Sequence, residues 1–136
     1  MPVESKDEIA AVLEYDTIAV VGCSSTPGKA AHGVPKYMRR HGYDVIPVNP
    51  YADEIFGRTA YDSLADVDEA IDVVCLFRPS AEVADIVDAA LERDEIEAIW
   101  TQLGIRDDGA ADRAEAGGKT VVQDYCMKVQ HRRLVA

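Results

Sequence analysis

The chain has 136 residues, of which 48% are hydrophobic, and its 25 acidic and 14 basic residues give a formal net charge of −11. This length predicts a single domain over residues 1–136 with a core of its own. The negative charge argues against nucleic acid and anionic lipid as partners, because most of the surface would repel them. An excess of acidic residues is typical of proteins from salt-accumulating microbes, in which high salt screens the self-repulsion.

The cellular compartment and the metal content are predicted from what the sequence lacks. No apolar run approaches the roughly 20 residues of a membrane-spanning helix, and the first residues do not form a secretory signal. The three cysteines form neither a disulfide framework nor a Cys-x-x-Cys metal motif, and the three histidines share no ligand spacing with them. We therefore expect a cytoplasmic protein with no membrane partner and no metal.

The chain begins with a helix signal and then the strand that organises the rest. Ser5 and Glu8 form a capping box, which predicts a short amphipathic helix that ends near Tyr15. An apolar strand follows over residues 17–21. It stops at Gly22, and a turn of small and hydroxylated residues leads into a helix over residues 30–41.

Four further apolar segments, over residues 43–48, 71–77, 98–101 and 120–123, predict strands that alternate with helices. Ser80 is expected to cap the third helix, Asp107 or Asp108 to begin the fourth, and residues 124–135 to form the last. Residues 55–66 are expected to connect two strands through a short helical turn. The pattern predicts a Rossmann-like α/β fold, a doubly wound five-stranded parallel sheet with helices on both faces.

Candidate binding residues lie where these strands end, since ligands of such sheets bind outside the carboxyl ends, at the switch point beside the first strand. The small-residue turn after the first strand would let a phosphate approach backbone N–H groups and a helix N-terminus. Its glycine spacing fits neither the dinucleotide motif nor a P-loop. The strand ends are residues 22–25, 48–50, 77–79 and 102–104.

Several of these segments carry a family resemblance. They are Val20-Val21-Gly22 with Ser24-x-x-Pro27-x-Lys29, Pro47-Val48-Asn49-Pro50, and Trp100-x-Gln102-Leu103-Gly104. In these segments the chain resembles the small CoA-binding domain proteins and the nucleotide-binding domain of the succinyl-CoA synthetase alpha subunit.

The resemblance implies a stand-alone domain that binds coenzyme A or an acyl-CoA as a binding or regulatory module. One departure concerns the 3′-phosphate: the synthetase has a phosphate-contacting lysine shortly after its second strand, where this chain has Tyr51, Ala52 and Asp53. The implied site residues are Gly22, Cys23, Ser24, Ser25 and Lys29 around the phosphates, Asn49 and Pro50 beside the nucleotide, Phe77, Arg78 and Pro79 beside the adenine or pantetheine, and Gln102 as a further strand-end candidate.

Three alternatives stay open. An NAD(P)-binding oxidoreductase would need an acidic residue at the end of the second strand, but Asn49 stands there and Asp44 is at its start. A thiol redox protein would exchange disulfides with CoA through Cys126 or Cys23, because a helix N-terminus lowers a thiol pKa. A regulatory module would use its ligand to set its affinity for an unidentified protein partner or a second copy. We expect no enzyme, since no nucleophile with its base is visible.

Overall fold

The five predicted strands form one parallel sheet in the computed structural model, which describes residues 2–135. None of the helices in this range is long and apolar enough to cross a membrane. In chain order the elements are α1 (Lys6–Val12), β1 (Thr17–Val21), α2 (Ala30–Arg40), β2 (Asp44–Val48), β3 (Glu54–Ile55), β4 (Arg58–Thr59), a 3-10 helix (Leu64–Asp66), β5 (Val73–Leu76), a second 3-10 helix (Ser80–Glu82), α3 (Val83–Leu91), β6 (Ala98–Thr101), α4 (Asp108–Ala116), β7 (Thr120–Val122) and α5 (Met127–Leu134).

The strand order is β2-β1-β5-β6-β7, so the chain reverses direction across the sheet between β1 and β5. In register, Val21 of β1 lies beside Val48 of β2 on one side and Leu76 of β5 on the other. Where the connections after two neighbouring strands pass to opposite faces of the sheet, a crevice opens at the carboxyl ends of those strands. Ligands of open α/β sheets bind in this crevice. The topology places this crevice at the end of β1, as the sequence predicts.

Both faces of the sheet are covered, which confirms the doubly wound fold. One core cluster joins alternate strand residues such as Val20 and Trp100 to apolar residues of α1, α2 and α5. The other joins Ala19 and Ile99 to apolar residues of α3 and α4. Strand residues alternate between the two faces because successive side chains of a strand point in opposite directions.

Two of the three predicted helix caps are confirmed. The N–H of Glu8 donates to Ser5 Oγ over 3.2 Å, and the N–H of Ala110 donates to the Asp107 carboxylate over 3.0 Å. The predicted Ser80 cap is wrong. Ser80 begins a 3-10 helix that runs directly into α3, and its hydroxyl instead accepts the N–H of Arg106, from the loop after β6, over 2.9 Å.

The β3–β4 hairpin is absent from the sequence prediction. Its two turn residues, Phe56 and Gly57, both have positive φ, at +57° and +72°. Asn or Asp usually occupies the first position of such a turn, so phenylalanine hides the signal. Packing holds Phe56 in place: its ring lies 5.0 Å from the His32 ring, and the Arg39 guanidinium lies 5.8 Å above it.

A buried histidine lies where α2 and α5 pack together. His131 is only 4% exposed, and its Nδ1 shares a 2.8 Å hydrogen bond with the Tyr37 hydroxyl. The His41 ring lies 5.0 Å away. Burial lowers the pKa of His131, and the nearby His41 lowers that pKa further.

This arrangement predicts that the protein loses stability in mild acid. The pKa of His131 is lower in the folded than in the unfolded state. Its contribution to the free energy of unfolding is therefore complete above the unfolded pKa of about 6.5 and is lost as the pH falls below that value. Urea denaturation should show this loss, with a slope of at most about 1.4 kcal/mol per pH unit for one proton. His131→Gln should flatten the dependence, and Tyr37→Phe, which keeps His131 buried, should retain it. An unchanged slope in His131→Gln would contradict the assignment.

Candidate functional site

A cavity of about 390 Å³ opens at the carboxyl ends of β1, β2 and β5, on the face of the sheet that α3 covers. Its floor is apolar, formed by Val21 and Val48 at the strand ends, Leu64 of the first 3-10 helix, and Ile86 and Ala89 of α3. A concave apolar floor with polar groups around it is the usual form of a small-molecule site. We call it the strand-end cavity.

The backbone of Gly22 is the point at which β1 turns into the cavity. Gly22 has a φ of +87°, which side chains rarely tolerate, and its N–H donates to the Val48 carbonyl over 2.9 Å. A Cβ at this position would come within 2.9 Å of Arg78 Cδ and 3.3 Å of the Phe77 carbonyl carbon. The missing side chain therefore lets the Arg78 stem lie directly across the end of β1.

Arg78 is held in that position by an ion pair. Its Nε and Nη2 donate to the two carboxylate oxygens of Glu82 over 3.1 and 2.8 Å, one helical turn further on. The hydrogen bonds from Arg78 lower the pKa of Glu82. Both side chains line the cavity, so the guanidinium is present at the site but is already shared with a carboxylate.

Asn49 ties the end of β2 to the turn that follows β1. Its Nδ2 donates to the Cys23 carbonyl over 2.8 Å, and its Oδ1 accepts the N–H of Tyr51 over 2.8 Å. The amide side chain therefore shapes the rim through backbone contacts. Pro50 and Tyr51 complete this part of the rim, and Tyr51 is 93% exposed.

The opposite wall comes from a segment that the sequence did not mark as part of the site. Tyr61 pairs with the end of β2: its N–H donates to the Pro47 carbonyl over 3.0 Å, and its carbonyl accepts the N–H of Asn49 over 2.8 Å. This pairing brings Asp62 and Ser63 to the cavity, where Asp85 of α3 joins them. The lining thus has three carboxylates, on Asp62, Glu82 and Asp85, and the one guanidinium of Arg78.

The turn after β1 carries the other group of predicted residues to the start of α2. Ser24 Oγ accepts the N–H of Thr26 over 3.0 Å, and Ser25 is exposed. Lys29 is the exposed N-cap residue of α2, whose N-terminus has no side-chain cap and no acidic residue in its first turn. An N-terminus of this kind is electrostatically suited to an anion.

The structure argues against the alternative in which Cys23 is a reactive thiol. Its side chain is completely buried in the core, and burial raises the pKa of the thiol to about 12. Cys75 is buried in β5, and burial raises its pKa as well. Cys126 is the partly buried N-cap residue of α5, outside the lining of the strand-end cavity.

The structure divides the predicted residues into three groups. Gly22, Asn49, Pro50 and Arg78 meet in the cavity lining, whereas Cys23, Ser24, Ser25 and Lys29 belong to the adjacent turn. Phe77 and Pro79 flank Arg78 without lining the cavity. Gln102 is also outside it, 5% exposed, and its Oε1 accepts the N–H of Met127 over 2.8 Å at the start of α5.

Several lining residues were missed by sequence reasoning, among them Asp62, Ser63, Glu82, Asp85 and Ile86. The apolar periodicity of α3 predicts that Ile86 is turned inward, which is a usable signal. No local signal marks the acidic residues, because their position depends on the pairing of Tyr61 with β2 and on the face of the sheet to which α3 packs.

A doubly wound parallel sheet with a cavity at its switch point defines the Rossmann-like class of α/β domain, whose members bind their ligands at that edge. The family described as the CoA binding domain matches residues 16–132. The chain therefore belongs to the CoA-binding domain family.

Relatives of two sizes match the chain. The uncharacterized protein YneT of Bacillus subtilis is 40% identical over 128 residues, which are 93% of this chain and 94% of YneT. A hypothetical protein from Pyrococcus horikoshii OT3 has the same fold with a TM-score of 0.93 at 33% identity, covering 100% of this chain and 97% of that one. The ADP-forming acetate–CoA ligase of Methanocaldococcus jannaschii is 32% identical over 72 residues, which are 53% of this chain but only 10% of the ligase.

Replacing Gly22 should test how the cavity wall is built. Gly22→Ala would place a side chain on a backbone of positive φ, which costs roughly 1–2 kcal/mol, and would also bring its Cβ too close to Arg78. Gly28→Ala is the matched control, because Gly28 has a φ of +95° and nothing within 4 Å of an added Cβ. Urea denaturation should show Gly22→Ala to be less stable than Gly28→Ala by about 1 kcal/mol, the range of an overpacked contact. Equal losses would mean that Arg78 does not pack on Gly22.

Proposed function

We propose that the chain binds coenzyme A or an acyl-CoA at the carboxyl ends of β1, β2 and β5, as a binding or regulatory module. The observation that carries the proposal is the strand-end cavity, which opens beside Gly22 at the switch point in a member of the CoA-binding domain family. The full-length match to small relatives supports a domain that binds its ligand alone. Ligation, which the acetate–CoA ligases perform, would need the remainder of such a much longer chain.

The size of the cavity suits one part of such a ligand. A volume of about 390 Å³ lies near the lower end of the range for small-molecule sites. It would hold the nucleoside end of coenzyme A on the apolar floor formed by Val21, Val48 and Ile86. The diphosphate would then lie over the small-residue turn, and the pantetheine arm would extend along the remaining strand ends.

Backbone donors are the natural partners of the diphosphate here. The turn from Gly22 to Lys29 carries no acidic side chain, and it ends at an uncapped helix N-terminus. Backbone N–H groups and the helix dipole supply positive potential without any basic residue. Lys29 would add one exposed charge to this arrangement.

The chemistry of the lining supports binding in preference to catalysis. Among the described residues that line the cavity there is no histidine, cysteine or lysine. Of its three carboxylates, Glu82 is paired with Arg78, and the arginine itself cannot act as a base. The thiol hypothesis now concerns Cys126 alone, which a disulfide of CoA would have to reach from outside the cavity.

A comparison of coenzyme A with NAD should test the proposal. Because Asn49 stands at the end of β2 in place of the acidic residue that binds the ribose diol in NAD-binding domains, CoA should raise the melting temperature far more than NAD or NADP. A ligand present at about 100 times its Kd adds roughly 2.7 kcal/mol, which thermal shift resolves. Mass spectrometry of natively purified protein should show co-purified CoA or acyl-CoA. Equal or greater stabilisation by NAD would overturn the proposal.

Lys29→Ala should weaken CoA binding roughly ten-fold at low salt. A ten-fold change corresponds to about 1.4 kcal/mol, which is the size of a modest charge-assisted contact. High salt should shrink this effect, because screening acts strongly on exposed charges. Lys36→Ala is the matched control, since Lys36 is exposed on the same helix and further from the turn. Isothermal titration calorimetry gives both affinities. A Lys29→Ala variant that binds like Lys36→Ala would leave Lys29 outside the site.

A further inference from the structure

Arg78 lies at the boundary between the two parts of the candidate site. The turn after β1 leads to α2 on one face of the sheet, whereas the strand-end cavity opens on the face that α3 covers. Gly22 joins the two parts, and a Cβ there would come within 2.9 Å of Arg78 Cδ, so the Arg78 stem lies against it. A ligand that occupies both parts must cross the end of β1 beside this arginine.

Glu82 engages only one edge of the guanidinium. Arginine has five N–H donors in a planar fork. Nε and Nη2 of Arg78 donate to the two carboxylate oxygens of Glu82 over 3.1 and 2.8 Å, which is a side-on arrangement. Within residues 2–135 Nη1 forms no hydrogen bond, and Nη2 keeps a second hydrogen. The end of the fork, formed by Nη1 and Nη2, is therefore left for another acceptor.

The ion pair with Glu82 leaves Arg78 able to bind an anion. The two side chains are 43% and 46% exposed, and exposed ion pairs are weak. A phosphate monoester carries about −1.5 to −2 charges near neutral pH, and the arginine fork binds it through two parallel hydrogen bonds. The other carboxylates of the lining, on Asp62 and Asp85, are exposed and are screened by solvent. A phosphate in direct contact with the fork thus gains more from Arg78 than it loses to these carboxylates.

The placement of a CoA-type ligand proposed above brings its ribose to this boundary. The nucleoside occupies the cavity and the diphosphate lies over the turn, so the ribose that joins them crosses the end of β1 at Gly22. In CoA this ribose carries a 3′-phosphate. Among the described residues that line the cavity, Arg78 has the only basic side chain, so it is the side chain suited to this phosphate.

We propose that Arg78 binds the 3′-phosphate of CoA through the free end of its guanidinium, and that this contact makes the site select CoA over 3′-dephospho-CoA. The inference rests on the proposed function, because it takes the nucleoside of a CoA-type ligand to occupy the strand-end cavity. Arg78 is then a specificity-determining residue. NAD has no phosphate on its ribose, so the same contact favours CoA over NAD.

Isothermal titration calorimetry of the full chain with CoA and with 3′-dephospho-CoA tests the inference. At low salt we expect CoA to bind at least ten-fold more tightly, roughly the factor that one bidentate charge-assisted contact provides. High salt should narrow this ratio, because screening weakens the attraction between the guanidinium and the phosphate.

Two substitutions of Arg78 separate its charge from its fork. Arg78→Met keeps an unbranched stem against Gly22 and removes every N–H donor. It should bring the ratio close to one by weakening CoA roughly ten-fold, and it should leave the affinity for 3′-dephospho-CoA within about two-fold. Arg78→Lys keeps the charge without the fork, so an intermediate preference of about two- to four-fold for CoA should remain.

Arg106→Met is the matched control. Arg106 is an exposed arginine outside the cavity lining, and its Nε donates to Asp108 over 3.1 Å. The substitution removes the same charge and a comparable exposed ion pair, so it should keep the wild-type ratio. Circular dichroism and the melting temperature establish that all three variants fold.

The outcomes separate the inference from the function on which it rests. If 3′-dephospho-CoA binds as tightly as CoA, or more tightly, the inference is wrong and the proposed function stands. If neither binds, the proposed function fails as well. A preference for CoA that survives in Arg78→Met would overturn the assignment to Arg78. Loss of both ligands in a folded Arg78→Met variant would also contradict it, because the contact would then not be specific to the 3′-phosphate.

Discussion

The backbone of Gly22 is the constraint on which the strand-end cavity depends. β1 is paired on both sides, so its end cannot shift without disturbing β2 and β5. The φ of +87° turns the chain away from the sheet, and the absence of a Cβ lets the Arg78 stem cross the strand end. Because Glu82 then holds the guanidinium, one residue without a side chain helps to determine the position of the charge of Arg78, just after the neighbouring strand β5.

The acidic surface of the chain explains why backbone groups matter so much at this site. With a net charge of −11, few basic side chains are available to attract an anion. The turn after β1 instead has small residues and an uncapped helix N-terminus, whose potential does not depend on side chains. The lining of the cavity beside it has three carboxylates and one guanidinium, so the turn is the part of the site that is electrostatically suited to an anion.

Most of the fold could be predicted from the sequence, but only the strand-end part of the candidate site. The strands are continuous apolar runs and the helices have local caps, such as Asp107 for α4, so both are visible in short windows. Gly22, Asn49 and Arg78 could be found because parallel strands bring their carboxyl ends to one edge. The hairpin at Phe56 was hidden because an atypical residue occupies its turn, and the Ser80 cap failed because a distant loop takes the hydroxyl.

The sequence by itself determined the five strands of the main sheet, the helices that alternate with them and the edge of the sheet at which a ligand would bind. The strands and helices follow from residues close together in the chain, and the edge follows because parallel strands all end on the same side. Only the tertiary structure decided which face of the sheet holds the cavity and which side chains line it. Cys23 lies in the core although it follows a strand end, and Asp62 and Asp85 line the same cavity although 23 positions separate them. The physical reason is that the position of each of these side chains depends on which helix covers which face of the sheet. This packing is decided by contacts between segments that are far apart in the sequence.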